Sequence, residues 1–382
     1  MAKRALLTTD DGTYHKIKKG YLTVDGVYRR VKKAYTTIGG VYRPCWSSGE
    51  LEYYGTIEPL SQARTNFAAT TVGGYALFAG GNIDNVSTSA VDVYSKSLTK
   101  ISGVQLGGTR ENFATTTNGD YAILAGGDYW FGPTQSGSYQ GSTRKDAEIY
   151  DTSLTRTTID GLSVARCELA ATTVGGYALF AGGKYLNTYY NTVDVYDTSF
   201  TRTTLSNLPN AVTDLAATTV GKYALFGGGI SSESGSYKST MTAYDTSLTR
   251  SYPTSLSVAR YELAATTVGN YALFGGGKGS FTGVYYKDTM DSYDPSLVRT
   301  TLTPLSVAKT ELGATTLGKY ALFGGGLQGT GASTTIDVYD ETLTKITATP
   351  FSNSLRKVRA TTVGDYALFA GINNTSVEVY SI

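Results

Sequence analysis

A single phrase recurs through most of this chain. ATTVGGYALFAGG, in its fullest form at residues 171–183, returns with small changes along the 382 residues. Its tyrosine falls at Tyr75, Tyr121, Tyr177, Tyr223, Tyr271, Tyr320 and Tyr366, so successive copies lie 46, 56, 46, 48, 49 and 46 residues apart. A period near 50 marks an array of supersecondary units, none of which can bury its apolar face alone. A chain of this length would otherwise suggest two or three domains. The repeat makes residues 51–382 one domain instead.

Within a copy, AATTV and YALFA are runs of β-branched, aromatic and small residues that suit strands. Val-Gly-x-Tyr leaves a two-residue connection between them, where glycine supplies the positive φ of a tight hairpin. A double glycine ends the second strand. A third strand follows, alternating in VDVYD (193–197) and IDVYD (336–340), and an Asp-Thr-Ser turn leads into a Thr-rich fourth at 201–205. Four antiparallel strands in seven copies describe an all-β fold, a seven-bladed β-propeller. The last copy stops after its third strand, SVEVYSI (376–382), while an orphan strand, LEYYGTI (51–57), precedes the first. Residues 51–57 are therefore expected to complete the last blade and remove two sheet edges.

Residues 51–382 resemble Kelch-type propellers. The resemblance rests on the double glycine and on the third-strand aromatics Tyr94, Tyr150, Tyr196, Tyr244, Tyr293, Tyr339 and Tyr380. It also rests on the Arg that opens strand one, at Arg64, Arg110, Arg166 and Arg260, with Lys309 in the sixth copy. The fourth strand departs from that pattern: its Kelch tryptophan is absent, and Thr and Arg stand there, as in Arg156-Thr157.

Residues 1–50 carry a second repeat of about 14 residues, with Gly12-Thr13-Tyr14, Gly26-Val27-Tyr28 and Gly40-Val41-Tyr42 in register. IKKGYLTV and VKKAYTTI between them predict short β-hairpins, each too small to bury a core. This segment has 10 Lys and Arg against 4 Asp and Glu; subtraction from totals of 33 and 31 leaves 23 against 27 for the rest. A basic segment suits an acidic protein surface or nucleic acid, or is simply a solvated strand face. The hairpin pattern favours protein docking, through Lys18, Lys19, Arg29, Arg30, Lys32, Lys33, Arg43 and Trp46, and makes nucleic acid an improbable partner. Val31-Lys32-Lys33-Ala34-Tyr35 and Gly40-Val41-Tyr42-Arg43-Pro44-Cys45-Trp46 resemble repeats on phage and prophage structural proteins of Gram-positive hosts. That likeness implies attachment to a virion structural protein, in a particle made in the host cytoplasm. No 18-residue apolar run is present, so no membrane insertion is expected. The opening MAKRALLTTDDG lacks the apolar core of a signal peptide.

Little catalytic chemistry is on offer. The one histidine, His15, lies outside the propeller, which leaves no His-dependent triad or clustered-His metal site within it. The phosphate-cradling and dinucleotide-binding glycine motifs are missing. No cofactor, no metal and no enzymatic activity are expected. Two residues beyond the Arg position stand Asn66, Asn112, Glu168, Asp214, Glu262, Glu311 and Lys357. A spacing of two would put each on the same strand face as the Arg. Two arrangements compete: a belt of Arg–Glu pairs between neighbouring blades, and a polar floor for a sugar or a cation, contributed by Glu168, Asp214, Glu262 and Glu311.

The connections between strands two and three are the other asymmetry. Blade two has Tyr129, Trp130, Phe131 and Tyr139; blade three Tyr185, Tyr189 and Tyr190; blade four Tyr237; blade five Phe281, Tyr285 and Tyr286. The matching loops of blades one, six and seven have no aromatic residue. Such residues either bury themselves in their own loops or stack on sugar rings and anchor partners. The expected function is a phage-like virion protein that is fixed by residues 1–50 and binds a host surface glycan or protein through the propeller. A decoration protein without a specific ligand and a carbohydrate-active enzyme using ring carboxylates are the rivals.

Overall fold

The computed structural model describes residues 49–382 apart from 134–138, 232–234, 280–284 and 373, together with the backbone of six short strands between residues 6 and 47. Residues 132, 133, 139 and 140 are likewise described by backbone alone. Among the described residues there is no helix. The six early strands form three antiparallel hairpins: Leu6–Thr8 with Tyr14–Lys16, Gly20–Val24 with Val27–Val31, and Lys33–Ile38 with Val41–Ser47.

Seven four-stranded antiparallel sheets follow. Their inner strands are Ala68–Val72, Ala114–Asn118, Ala170–Val174, Ala216–Val220, Ala264–Val268, Gly313–Leu317 and Arg356–Val363. Each touches the inner strands of both neighbouring blades, and the seventh touches the first, so the array is a closed ring. Glu52–Ile57 is the outer strand of the seventh sheet, pairing with Val377–Ser381 from Ile57↔Val377 to Glu52↔Ser381 across a bulge. The seven-bladed propeller expected from the repeat is thus the observed fold.

The repeated phrase specifies the blade through local chemistry. Val72 pairs with Tyr75 and Val174 with Tyr177, so both turns have two residues, and Gly73 and Gly175 take φ of +54° and +55°. The glycine pair after YALFA sits where one blade meets the next. A Cβ on Gly80 would lie 2.4 Å from the Arg110 carbonyl oxygen, and one on Gly81 would lie 2.6 Å from that of Thr65. The Gly81 N–H donates to Arg110 O at 2.9 Å, and the Gly127 N–H repeats this bond on Arg166 O.

Apolar burial joins the blades in pairs. Leu60, Phe67, Phe78 and Tyr94 of blade one pack with Val363, Leu368, Val377 and Val379 of blade seven, which closes the ring hydrophobically. The seven third-strand tyrosines are all buried. Each phenol donates to a backbone carbonyl on the segment that enters the blade: Tyr94 to Glu58 at 2.8 Å, Tyr196 to Asp160 at 2.8 Å, Tyr339 to Thr303 at 2.7 Å. Burying a hydroxyl is tolerable because the bond is made.

In five blades a buried carboxylate on strand three sits between two cations, one from the approach to the inner strand and one from the outer strand. Asp194 takes Arg166 at 2.8 Å and Arg202 at 3.2 Å; Asp92 takes Arg64 at 2.7 Å and Lys100 at 2.9 Å; Asp337 takes Lys309 at 3.0 Å and Lys345 at 2.8 Å. Glu148 and Asp291 occupy the same place in blades two and five. The Arg or Lys on the outer strand is therefore a partner of a buried acid.

Candidate functional site at the channel mouth

The inner strands surround a channel with a cavity of about 580 Å³ at one end. Asn66, Asn112, Glu168, Asp214, Glu262, Glu311 and Lys357 all line it, one from each blade. Below them the wall is small: Ala69, Thr115, Ala171, Ala217 and Ala265. Further in, one inner-strand threonine in each of six blades donates to the carbonyl of its counterpart in the preceding blade. Thr117 bonds Thr71 O at 2.7 Å, Thr173 bonds Thr117 O at 3.1 Å, and Thr71 bonds Thr362 O at 2.5 Å across the closure.

All seven ring residues have left-handed backbone, with φ between 45° at Lys357 and 57° at Asn66 and Glu311. Asn and Asp accept this conformation readily, whereas Glu and Lys pay on the order of 1 kcal/mol. The turn lets the ring N–H groups reach the preceding blade: Glu168 N donates to Asn112 O at 2.8 Å and Glu262 N to Asp214 O at 3.0 Å. It also overturns the expected strand alternation. The inner strand of blade three begins at Ala170, so Arg166 and Glu168 lie before it, and the left-handed residue sends Glu168 to the channel while Arg166 enters the blade.

The expected belt in which the opening Arg residues pair with the ring acids is therefore corrected. Arg64, Arg166 and Arg260 are spent on Asp92, Asp194 and Asp291 inside their own blades. The ring acids have other partners: Lys184 for Glu168 at 2.9 Å, Lys278 for Glu262 at 2.8 Å, and Arg356 for Glu311 at 3.1 Å. Thr213 and Thr310 also donate to Glu168 and Glu262, each at 3.0 Å, from the next blade. Burial disfavours the Lys184 charge, but Glu168 more than offsets this and holds the ammonium above its usual range. Lys278 is raised in the same way by Glu262.

Asp214 lies between these two pairs and has no ion-pair partner within 4.0 Å among the described residues. Enclosure by the blades, then Glu168 and Glu262, push its pKa well above the usual carboxylate range. The side chain is nonetheless only half-buried, because it lines the channel cavity. On the opposite side, Lys357 donates to Asn66 Oδ1 at 3.2 Å, and Asn66 Nδ2 donates to the buried Glu111 at 2.7 Å. Asp128 is pushed up to about 6, first by burial and then by Glu111.

The strand two–three connections start at this same end. Cys167 bridges Lys184, and Tyr261 bridges Lys278, so the residue before each ring acid pairs with the first residue of the loop. Trp130, Phe131, Tyr185 and Tyr285 are 38%, 54%, 38% and 45% exposed. The Trp130 backbone N–H donates to Ser87 Oγ of blade one at 2.9 Å, which seats this hairpin on its neighbour. Tyr129 is half-buried under Arg144, 4.4 Å from its ring centre, and Tyr237 stacks on Tyr261 at 5.3 Å and 8°. Tyr189, Tyr190 and Tyr286 are half-buried. Tyr139 is described by backbone alone and Phe281 lies outside the described residues. Of the docking residues, Arg29, Arg30, Lys33, Arg43 and Trp46 fall on the early hairpins, while Lys18, Lys19 and Lys32 lie outside the described residues.

Sequence reasoning passed over Lys184, Lys278, Arg356, Arg359 and Tyr261. The copies held a signal for the first two: where the ring residue is Glu168 or Glu262, the residue after the glycine pair is Lys, whereas Asn82, Ile230 and Leu327 stand there in blades one, four and six. Cys167 is buried, with its Sγ 3.4 Å from Lys184 O, and burial pushes its thiol up, so it is an inert packing residue.

No known family matches the chain, and no curated protein matches it. Solved structures do: 668 chains match, and a shared fold does not by itself name a function. One, described as the structure of YjhT, aligns with a TM-score of 0.59 at 11% identity, covering 77% of this chain and 99% of the other. At that identity the likeness shows the propeller fold alone.

Proposed function

We propose that this chain is a non-enzymatic virion protein of a phage or phage-like particle, whose propeller binds a host surface glycan over the channel mouth while residues 1–50 anchor it. The observation that carries the binding half is the set of exposed aromatics, Trp130, Phe131, Tyr185 and Tyr285, on loops that rise beside a polar well. Rigid aromatic faces stack on sugar rings at low entropic cost, and ring amides and carboxylates bond sugar hydroxyls. The non-enzymatic half is supported by the pairing of Glu168, Glu262 and Glu311 with cations, which leaves Asp214 without a free carboxylate partner for glycoside hydrolysis. Kelch kinship and anchoring belong to the same proposal. The former is supported by the glycine pairs and buried tyrosines, the latter by the basic hairpin repeat and its resemblance to phage structural proteins.

The test is adsorption of labelled full-length protein to host cells, before and after periodate oxidation of surface sugars and, separately, protease treatment. Binding should be lost after periodate and kept after protease. Loss after protease alone would point to a protein receptor. No adsorption at all would make the decoration role the better account.

A further inference from the structure

Arg359 breaks the repeat where the other blades bury a small residue, and its own side chain stays exposed. It pairs across its hairpin with Ala370, the place held in the other blades by Ala68, Ala114, Ala170, Ala216, Ala264 and Gly313. Six blades thus keep the wall small, and one projects a guanidinium into the cavity. Among the described residues no carboxylate lies within 4.0 Å of it, and its one hydrogen bond is to the carbonyl of its own neighbour, Val358, at 3.1 Å. Asp214, Glu311 and Glu262 act on it through space across the channel.

The acids of the well do not explain this cation. Glu168, Glu262 and Glu311 each hold a closer one, and Lys357 is tied through Asn66 to Glu111. A guanidinium stays charged at any ordinary pH and offers a fork of donors matched to carboxylate or phosphate oxygens. A ligand that supplied them would make a charge-assisted contact with this guanidinium.

We propose that Arg359 anchors an acidic group, a carboxylate or a phosphate, on a hydroxyl-rich ligand that enters from the ring end. Asp214 and the ring amides meet its hydroxyls, and the loop aromatics stay outside the well. This deepens the glycan reading and rests on it only for the hydroxyl-rich part.

Glucose, glucuronate and glucose 6-phosphate share a ring and differ at one carbon. Their binding to the full-length protein is measured by titration calorimetry at pH 7 and matched ionic strength. At least one acidic sugar should bind tenfold or more tighter than glucose, and which one it is separates carboxylate from phosphate. Arg359→Ala, which places there the residue that five other blades already carry, should melt like wild type and bring the acidic sugars within about twofold of glucose. Arg359→Lys should keep part of the preference. Equal binding of the three sugars, binding of none, or a preference that survives Arg359→Ala would overturn the proposal. Such a failure with cell adsorption intact leaves the glycan function standing. Anion preference without adsorption would do the reverse.

Discussion

Asp214 shows what the ring asks of a single residue. Its left-handed backbone, φ 52°, suits an aspartate, but its place between Glu168 and Glu262 does not suit a charge. Its pKa in the folded chain is raised above the value of 3.8 expected when unfolded. As pH climbs through 3.8 the unfolded chain releases its proton first, so Asp214 costs stability progressively up to its folded pKa, above which the cost stays constant. Asp214→Asn should therefore raise the melting midpoint at pH 8, by about 2 °C or more, and leave it unchanged near pH 3.5. A midpoint that falls at pH 8 would mean that the carboxylate is ionised and held by something in the well. This residue was visible in the sequence as one of seven aligned positions. What was not visible was direction. Spacing of two implies a common face only along an extended strand, and the left-handed turn at the ring ends that rule before the strand begins.

At the scale of the blade, the chain contains its own control experiment. Blade four has Val212 where five blades have the opening Arg or Lys, and Thr242 where those five have the buried acid. Both members of the pair are lost together, and Val212 and Thr242 are themselves buried. The physical reason is that one buried charge without its partner is far worse than neither. Asp194→Thr in blade three, which strands the fully buried Arg166, and Arg166→Val, which strands Asp194, should each cost about 3–5 kcal/mol, while the two together should cost about 1 kcal/mol. Denaturant midpoints of the two single variants and the double give the coupling directly. A double variant as unstable as the sum of the singles would show that the pair contributes no coupling. The strands, the two-residue turns and the glycine pair were legible because they depend on local backbone chemistry. The triads were not, because the acid in VDVYD is a strand residue whose partners come from segments about 30 residues earlier and 8 later.

At the scale of the molecule, seven-fold construction makes every departure from the repeat informative. The ring is closed by hydrophobic packing of blades seven and one and by Glu52–Ile57 on the seventh sheet. Closure by a strand from the far end of the chain leaves no paired edge open at the seam. The asymmetry is confined to one end: cations beside the ring, Arg359 in the well, exposed aromatics on blades two, three and five. Other exposed aromatics, Tyr54 and Tyr252, belong to the outer-strand regions of blades seven and four. The account therefore turns on whether the ring end is the working face. The deciding measurement is host-cell adsorption of two full-length double variants that melt like wild type, Trp130→Ala/Tyr185→Ala at the ring end and Tyr54→Ala/Tyr252→Ala on the outer strands. Losing a central aromatic anchor costs about 2 kcal/mol or more, so the ring-end variant should adsorb at least about thirtyfold more weakly while the outer-strand variant adsorbs like wild type. Unchanged adsorption of the ring-end variant, or loss confined to the outer-strand variant, would contradict it.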